Sequence, residues 1–166
     1  MINPEITNYV EYQIEKSKET LQDAELLYVN NRLTSAVNRI YYAMFYSVSA
    51  FANIHGFSTS KHTGIKSYFD GEIANKNLVG LEMKKFYGII YDKRHTGDYK
   101  RYDFNKNEVG EWIIKAKDFV AKINNMTLKI INDENLRHSH NSKDQKPDDF
   151  ARDLENRQTH KRKFGR

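Results

Sequence analysis

Apolar residues recur every three or four positions up to about residue 130, which is the spacing of one face of an α-helix. The first run predicts a helix from about Pro4 to Asn30. Proline suits the first turn of a helix, and Glu5 suits the positive end of the helix dipole. The apolar face of this helix comprises Ile6, Val10, Ile14, Leu21, Ala24 and Leu27.

The second apolar run follows a link of two residues, Asn30 and Asn31, and restarts at Leu33. So short a link predicts that the two helices form an antiparallel hairpin. The second helix should reach His55, because Gly56 is typical of a helix C-terminus. Its apolar residues cover most of the circumference, so this helix is predicted to be the centre of a bundle.

Two further helices are predicted between the central helix and residue 97. Capping residues at 58–64 precede a short third helix, which we expect Gly71 and the turn at 75–77 to end. A fourth helix should reach about Arg94, because Gly97 breaks the helical pattern shortly afterwards.

A fifth helix is predicted to begin after a capping asparagine, either Asn105 or Asn107, and no segment has the alternating pattern of a strand. The predicted fold class is therefore all-α, an up-and-down bundle of four to five helices over residues 1–132. Beyond Asn132 the apolar residues nearly vanish, and such a composition does not offset the entropy cost of ordering. Residues 133–166 are therefore predicted to be a charged, poorly ordered tail.

The composition of this 166-residue chain narrows its chemistry. Cysteine is absent, which excludes disulfides, thiol nucleophiles and cysteine–zinc sites. The chain has no metal-ligand spacing and no glycine-rich phosphate loop, so no metal or other cofactor is expected. A net charge of +5 is compatible with an anionic partner such as RNA. No signal-peptide core and no membrane-spanning run occur, so a cytoplasmic location without a membrane is expected.

A polar cluster interrupts the apolar central helix at residues 38–42, which read Asn-Arg-Ile-Tyr-Tyr. Asn38 and Tyr42 lie four positions apart on one face of that helix, and Arg39 points to a neighbouring face. An arginine on a core helix needs a partner, because an unpaired buried charge is costly. That partner is either an acid on a neighbouring helix, in a structural ion pair, or the anion of a ligand.

A second polar cluster spans residues 91–99, at the predicted end of the fourth helix. The cations in its last turn suit the negative end of the helix dipole and need no function to explain them. They are Lys93, Arg94 and His95. Asp92 and Asp98 would serve as partners for Arg39 or Lys61, in a polar network that fixes the register of the helices.

Several short motifs follow one another in a characteristic order. They are the block at 38–45 (Asn-Arg-Ile-Tyr-Tyr-Ala-Met-Phe), Gly56, 60–62 (Ser-Lys-His), 68–69 (Tyr-Phe), Arg94 and 97–99 (Gly-Asp-Tyr). In this order they resemble the HEPN family, small all-helical domains named for nucleotide binding in higher eukaryotes and prokaryotes. The resemblance covers roughly residues 5–130 and is to the stand-alone prokaryotic branch of the family.

The resemblance implies a helical bundle that often forms homodimers and pairs with a small nucleotidyltransferase in toxin–antitoxin or defence modules. Many members are metal-independent RNases in which four to six residues separate an arginine from a histidine. In that chemistry the arginine stabilises the phosphorane-like charge, and the histidine assists proton transfer from the ribose 2′-hydroxyl. This chain departs from the motif, because the corresponding positions after Arg94 are Tyr99, Lys100 and Arg101.

Three hypotheses for the function follow. In the first, the protein is a HEPN component that binds a nucleotide or RNA and works through a nucleotidyltransferase partner. The binding residues would be Asn38, Tyr42, Lys61, Asp98 and Tyr99. In the second, it is a metal-independent RNase toxin with an altered site, in which Arg39 and Arg94 hold the phosphate and His62 or His95 transfers the proton. In the third, it is a non-catalytic scaffold dimer whose polar clusters serve packing alone.

The resemblance also implies a modification site. In some pairs of this family the nucleotidyltransferase attaches AMP to a tyrosine close after the arginine–histidine motif. Tyr99 follows Arg94 and lies past Gly97, on a predicted loop that would enter another enzyme's active site. The added charge and bulk would block a phosphate from reaching Arg94. In the alternative, Tyr99 packs its ring on the bundle and donates one hydrogen bond.

Overall fold

The computed structural model describes the backbone of residues 3–99 and 103–143 and the side chains of residues 3–94 and 103–137. Within these residues every regular element is helical, which confirms the predicted all-α fold class. The elements in chain order are α1 (Pro4–Val29), α2 (Leu33–Ile54), α3 (His62–Tyr68), a π-helical segment (Phe69–Ala74), α4 (Leu81–Tyr99) and α5 (Lys106–Lys143).

Helix α1 begins and ends close to the predicted positions. The side-chain oxygen of Asn3 accepts a hydrogen bond of 2.9 Å from the backbone N–H of Glu5, and Pro4 lies in the first turn. At the other end, Asn31 adopts a left-handed φ of 58°, which turns the chain into α2. Helices α1 and α2 pack extensively against each other, as the predicted hairpin requires.

Helix α2 is central to the unit formed by residues 1–130, because its buried residues occupy nearly all sides of the helix. They are Ala36, Val37, Ile40, Tyr41, Ala43, Met44, Ser47, Val48, Ser49, Ala50, Phe51, Ala52 and Ile54. Three buried rings from later elements pack together in the same core. The ring centre of Tyr87 lies 4.5 Å from that of Phe69 and 5.3 Å from that of Phe119.

Two glycines that were predicted to end helices do not end them. Gly71 lies inside the π-helical segment, and Gly97 lies inside α4, which continues to Tyr99. Glycine weakens a helix interior by about 1 kcal/mol but ends the helix only where the backbone becomes left-handed. That happens instead at Gly56, with a φ of 80°, and at Asn77, with a φ of 57°. Tyr99 is therefore the last residue of α4, and its prediction as a loop residue was wrong.

Helix α5 begins after Asn105, one of the two predicted caps. The side-chain oxygen of Asn105 accepts hydrogen bonds from the backbone N–H groups of Asn107, at 2.9 Å, and Glu108, at 3.2 Å. The helix continues to Lys143, past residue 132, where the composition changes. The division into a bundle and a flexible tail stays a prediction. Among the described helices, none has both the length and the apolar character that crossing a bilayer demands.

We expect Asn105→Ala to lower the free energy of unfolding by about 1 kcal/mol, because two N–H groups of the first turn of α5 lose their acceptor. Asn107→Ala is the matched control, since the same change at an exposed position inside the helix introduces a better helix former. Urea unfolding measures both variants. Equal losses of stability in the two would contradict the capping role of Asn105.

Candidate anion-binding site

Two arginines from different helices share one tyrosine ring. The guanidinium carbon of Arg39, on α2, lies 5.1 Å from the centre of the Tyr42 ring, which stands one turn further along the same helix. The guanidinium carbon of Arg94, on α4, lies 5.4 Å from the same ring centre and 5.2 Å from that of Tyr41. The two guanidinium carbons are therefore separated by no more than twice 5.4 Å, which is close for two positive charges.

Neutral oxygens hold the two guanidinium groups in place. Nη2 of Arg94 donates a hydrogen bond of 3.2 Å to the hydroxyl oxygen of Tyr42. Arg39 donates from Nη2 to the side-chain oxygen of Asn38 at 2.9 Å. Each guanidinium also gains cation–π attraction from the ring beneath it.

The expected ion pair of Arg39 with an acid is not found among the described residues, where neither Asp92 nor any other carboxylate pairs with it. The physical reason is the position of Arg39 at the edge of the core. Its side chain is half-buried rather than enclosed, so water still solvates the charge. The desolvation free energy that an acidic partner would have to offset is therefore small. The side chain of Asp98, the other predicted acidic partner, lies outside the described residues, so an acid and the anion of a ligand both stay predictions for Arg39.

A cleft of about 370 Å³ opens beside these arginines. Its described lining contains three cationic side chains and no carboxylate. The lining residues are Leu27, Thr34, Ser35, Val37, Asn38, Arg39, Lys93, Arg94 and Phe104. A surface of this charge attracts anions.

The first turn of α2 adds to the positive potential of the cleft. Thr34 and Ser35 belong to this turn, which contains no acidic residue, and Arg32 at the N-cap makes no side-chain capping hydrogen bond. The amide groups at such a helix end favour negative charge. Thr34 and Ser35 were not predicted, although each stands four positions before a predicted residue and thus on the same helix face.

His62, one of the predicted proton-transfer residues, packs against Tyr41 and Tyr42. It is not among the described residues that line the cleft. Its Nδ1 is 2.9 Å from the hydroxyl of Tyr41, a residue with no exposed surface. Burial raises the pKa of Tyr41 above its ordinary value of 10.0, although nearby Arg94 partly opposes the shift. The phenol therefore keeps its proton, which it can donate to Nδ1 of His62.

The other predicted site residues are not joined to the cleft by the described contacts. Lys61 is exposed at the N-cap of α3, where its backbone N–H donates to the hydroxyl of Thr59 at 3.1 Å. The side chains of His95, Asp98 and Tyr99 lie outside the described residues. Lys93, interpreted from the sequence only as a helix-end cation, is a further lining residue that sequence reasoning missed, besides Thr34 and Ser35.

The fold and this cleft define a small helical-bundle protein with a cationic site between α2 and α4. The sequence model of the HEPN domain matches residues 10–126, and the chain therefore belongs to the HEPN family. The family resemblance inferred from the motifs is confirmed.

Three relatives support this assignment. A protein of Thermotoga maritima named "UPF0332 protein" is 44% identical over 115 residues, which cover 69% of this chain and 87% of that protein. A protein of Methanocaldococcus jannaschii named "Putative toxin" is 32% identical over 114 residues, or 68% of this chain and 78% of that protein. A second protein of that archaeon with the same description is 27% identical over 135 residues, 79% and 98% of the two chains.

Two fully buried tyrosines provide a test of the hydrogen bond to His62. The hydroxyl of Tyr41 has that partner, whereas the hydroxyl of Tyr87 has no hydrogen-bond partner among the described residues. We expect Tyr41→Phe to lower the free energy of unfolding by roughly 1–2 kcal/mol, because it leaves a ring nitrogen unsatisfied. Tyr87→Phe should leave it unchanged or raise it by up to about 1 kcal/mol. Urea unfolding measures the free energy of unfolding of both variants. A larger loss of stability in Tyr87→Phe than in Tyr41→Phe would contradict these hydrogen-bond assignments.

The same tyrosines predict a loss of stability in alkali. Burial raises the pKa of Tyr41 and Tyr87 above 10.0, so the unfolded chain loses these protons at lower pH than the folded protein. Their contribution to stability is therefore complete below pH 10 and is lost as the pH rises further. We expect the free energy of unfolding to fall above about pH 10, and to fall less steeply when both are phenylalanine. The exposed Tyr9→Phe is the control, and an unchanged slope in the double variant would refute the prediction.

Proposed function

We propose that this protein is the HEPN component of a toxin–antitoxin or defence-type module and that its cleft binds the phosphate of RNA or of a nucleotide. The observation that carries the proposal is the pair Arg39 and Arg94 on the ring of Tyr42, at a cleft whose described lining has no acid. The archaeal relatives named "Putative toxin" support the kind of module.

Phosphate is the anion that this arrangement suits best. A guanidinium presents a planar fork of N–H donors that matches two phosphate oxygens, and two such groups can contact one phosphate or neighbouring phosphates. Each fork donates one described hydrogen bond to a neutral oxygen, Arg94 to the hydroxyl of Tyr42 and Arg39 to the side chain of Asn38. The repulsion between the two cations is relieved when an anion lies between them.

Phosphate binding needs only the residues that the structure describes at the cleft. Among those described residues no histidine, aspartate or glutamate lines it to move a proton from a ribose hydroxyl. The metal-independent RNase remains the alternative, and it would require His95 or a displaced His62. In the proposed function a nucleotidyltransferase partner acts on this protein, and Tyr99 at the end of α4 is the acceptor of AMP.

We expect Arg39→Gln and Arg94→Gln each to weaken the binding of a fluorescent single-stranded RNA by about tenfold, because each removes a charge-assisted fork. Each should also reduce the slope of log affinity against log salt by about 0.7. Arg39→Lys should weaken binding too, since lysine does not form the bidentate contact. Fluorescence anisotropy measures the dissociation constants for the RNA. The same titration with labelled AMP in place of the RNA distinguishes a nucleotide site from an RNA site.

Lys122→Gln is the matched control for this experiment, because it removes one exposed positive charge of α5 that does not line the cleft. It should keep the affinity and the salt slope of the unaltered protein. Arginine variants indistinguishable from this control would refute the phosphate site. Cleavage of the RNA by the protein in the presence of EDTA would instead favour the RNase alternative.

We expect co-expression with a nucleotidyltransferase encoded beside this protein to raise its intact mass by one or more AMP units. Tyr99→Phe should remove the increase, and Tyr91→Phe, at a half-buried position of the same helix, should not. Intact mass spectrometry gives the answer. An unchanged mass, or an increase that persists in Tyr99→Phe, would exclude Tyr99 as the acceptor.

A further inference from the structure

The hydrogen bond between Tyr41 and His62 connects the start of α3 to the core of α2. The Tyr41 side chain has no exposed surface, and Nδ1 of His62, at 2.9 Å, is the one hydrogen-bond partner of its hydroxyl among the described residues. A buried hydroxyl without a partner is costly, so this bond fixes the position of the Tyr41 hydroxyl and the placement of the imidazole.

Aromatic rings enclose the imidazole on several sides. The ring centre of His62 lies 4.8 Å from that of Phe45, 5.5 Å from that of Tyr41 and 5.6 Å from that of Tyr42. The contact with Tyr42 is edge-on, at 77°. His62 therefore supports both tyrosine rings from the side of α3.

The same two tyrosine rings carry Arg94. Their centres lie 5.4 Å apart at 72°, and the guanidinium carbon is 5.2 Å from Tyr41 and 5.4 Å from Tyr42. The hydroxyl of Tyr42 also accepts a hydrogen bond from this guanidinium at 3.2 Å. A change in the tilt of either ring would move the surface on which the guanidinium rests.

We propose that Tyr41 and His62 act together as positioning residues that hold the guanidinium of Arg94 in the cleft. His62 contributes as a hydrogen-bond acceptor at Nδ1 and as a packed ring. It does not touch the phosphate. This inference rests on the proposed phosphate site and assigns to that site two residues that do not line it.

The role of the acceptor can be separated from the role of the ring by two substitutions of His62. His62→Asn places an amide oxygen near the position of Nδ1 and removes the ring. His62→Phe keeps a ring of similar size and removes the acceptor. His55→Phe is the control, because Nδ1 of His55 also makes a hydrogen bond, 2.7 Å from the carbonyl oxygen of Phe51, at the far end of α2.

Two measurements on the full chain test the proposal. Fluorescence anisotropy gives the affinity for a labelled single-stranded RNA, and ¹⁵N NMR follows the side-chain N–H signals of Arg94 without any ligand. We expect His62→Phe and Tyr41→Phe each to weaken RNA binding by about tenfold, and the double variant to weaken it no further, because the two residues act as one unit. His62→Asn should recover most of the affinity, and His55→Phe should lose none.

In NMR, the N–H signals of Arg94 should be resolved in the unaltered protein and in His62→Asn, and averaged by rotation in His62→Phe. RNA affinity in His62→Phe equal to that of the unaltered protein would overturn the positioning role while leaving the phosphate site intact. Equal losses in His62→Asn and His62→Phe would overturn the acceptor role. If the unaltered protein binds neither RNA nor AMP, the proposed function fails, and the positioning role fails with it, even where the NMR signals respond as expected.

Discussion

The burial of α2 on nearly all sides is the constraint on which the rest of the structure depends. A helix so enclosed has few positions at which a side chain can reach water, and Asn38, Arg39 and Tyr42 are among them. Successive residues of a helix point about 100° apart, so Tyr41 lies in the core while the half-buried Tyr42 contacts both arginines. The two rings are in edge-to-face contact, so the dense packing around Tyr41 also restricts the movement of the Tyr42 ring, on which the arginines lie.

The helices were predictable because their signals are local. Asn105 caps α5 as its sequence position indicated, and the spacing of apolar residues located α1 and α2 closely. The errors at Gly71 and Gly97 have a common cause. Whether a glycine ends a helix depends on the sign of its φ angle, and tertiary packing decides that sign as much as the residue itself does.

The candidate site was predictable only in part. The motifs and the family resemblance singled out Arg39 and Arg94, but nothing in the periodicity requires that α2 and α4 bring them to one ring. Arg39 is half-buried and has no acid partner among the described residues, and a helical pattern shows which face is apolar but not how far from the core edge a residue lies. Lys93 had an adequate explanation as a helix-end cation, so its place in the cleft lining gave no separate signal.

The π-helical segment has a consequence for the geometry of the whole stretch from His62 to Ala74. A π-helix closes its hydrogen bonds one residue later than an α-helix and so turns less per residue. Ile65, Phe69 and Ile73, four positions apart in each case, consequently all remain buried, while His62 at the first turn meets Tyr41. The number of residues in this stretch thus determines how its two ends are oriented relative to each other. Removing one residue would rotate its two ends relative to each other rather than only shorten a connection.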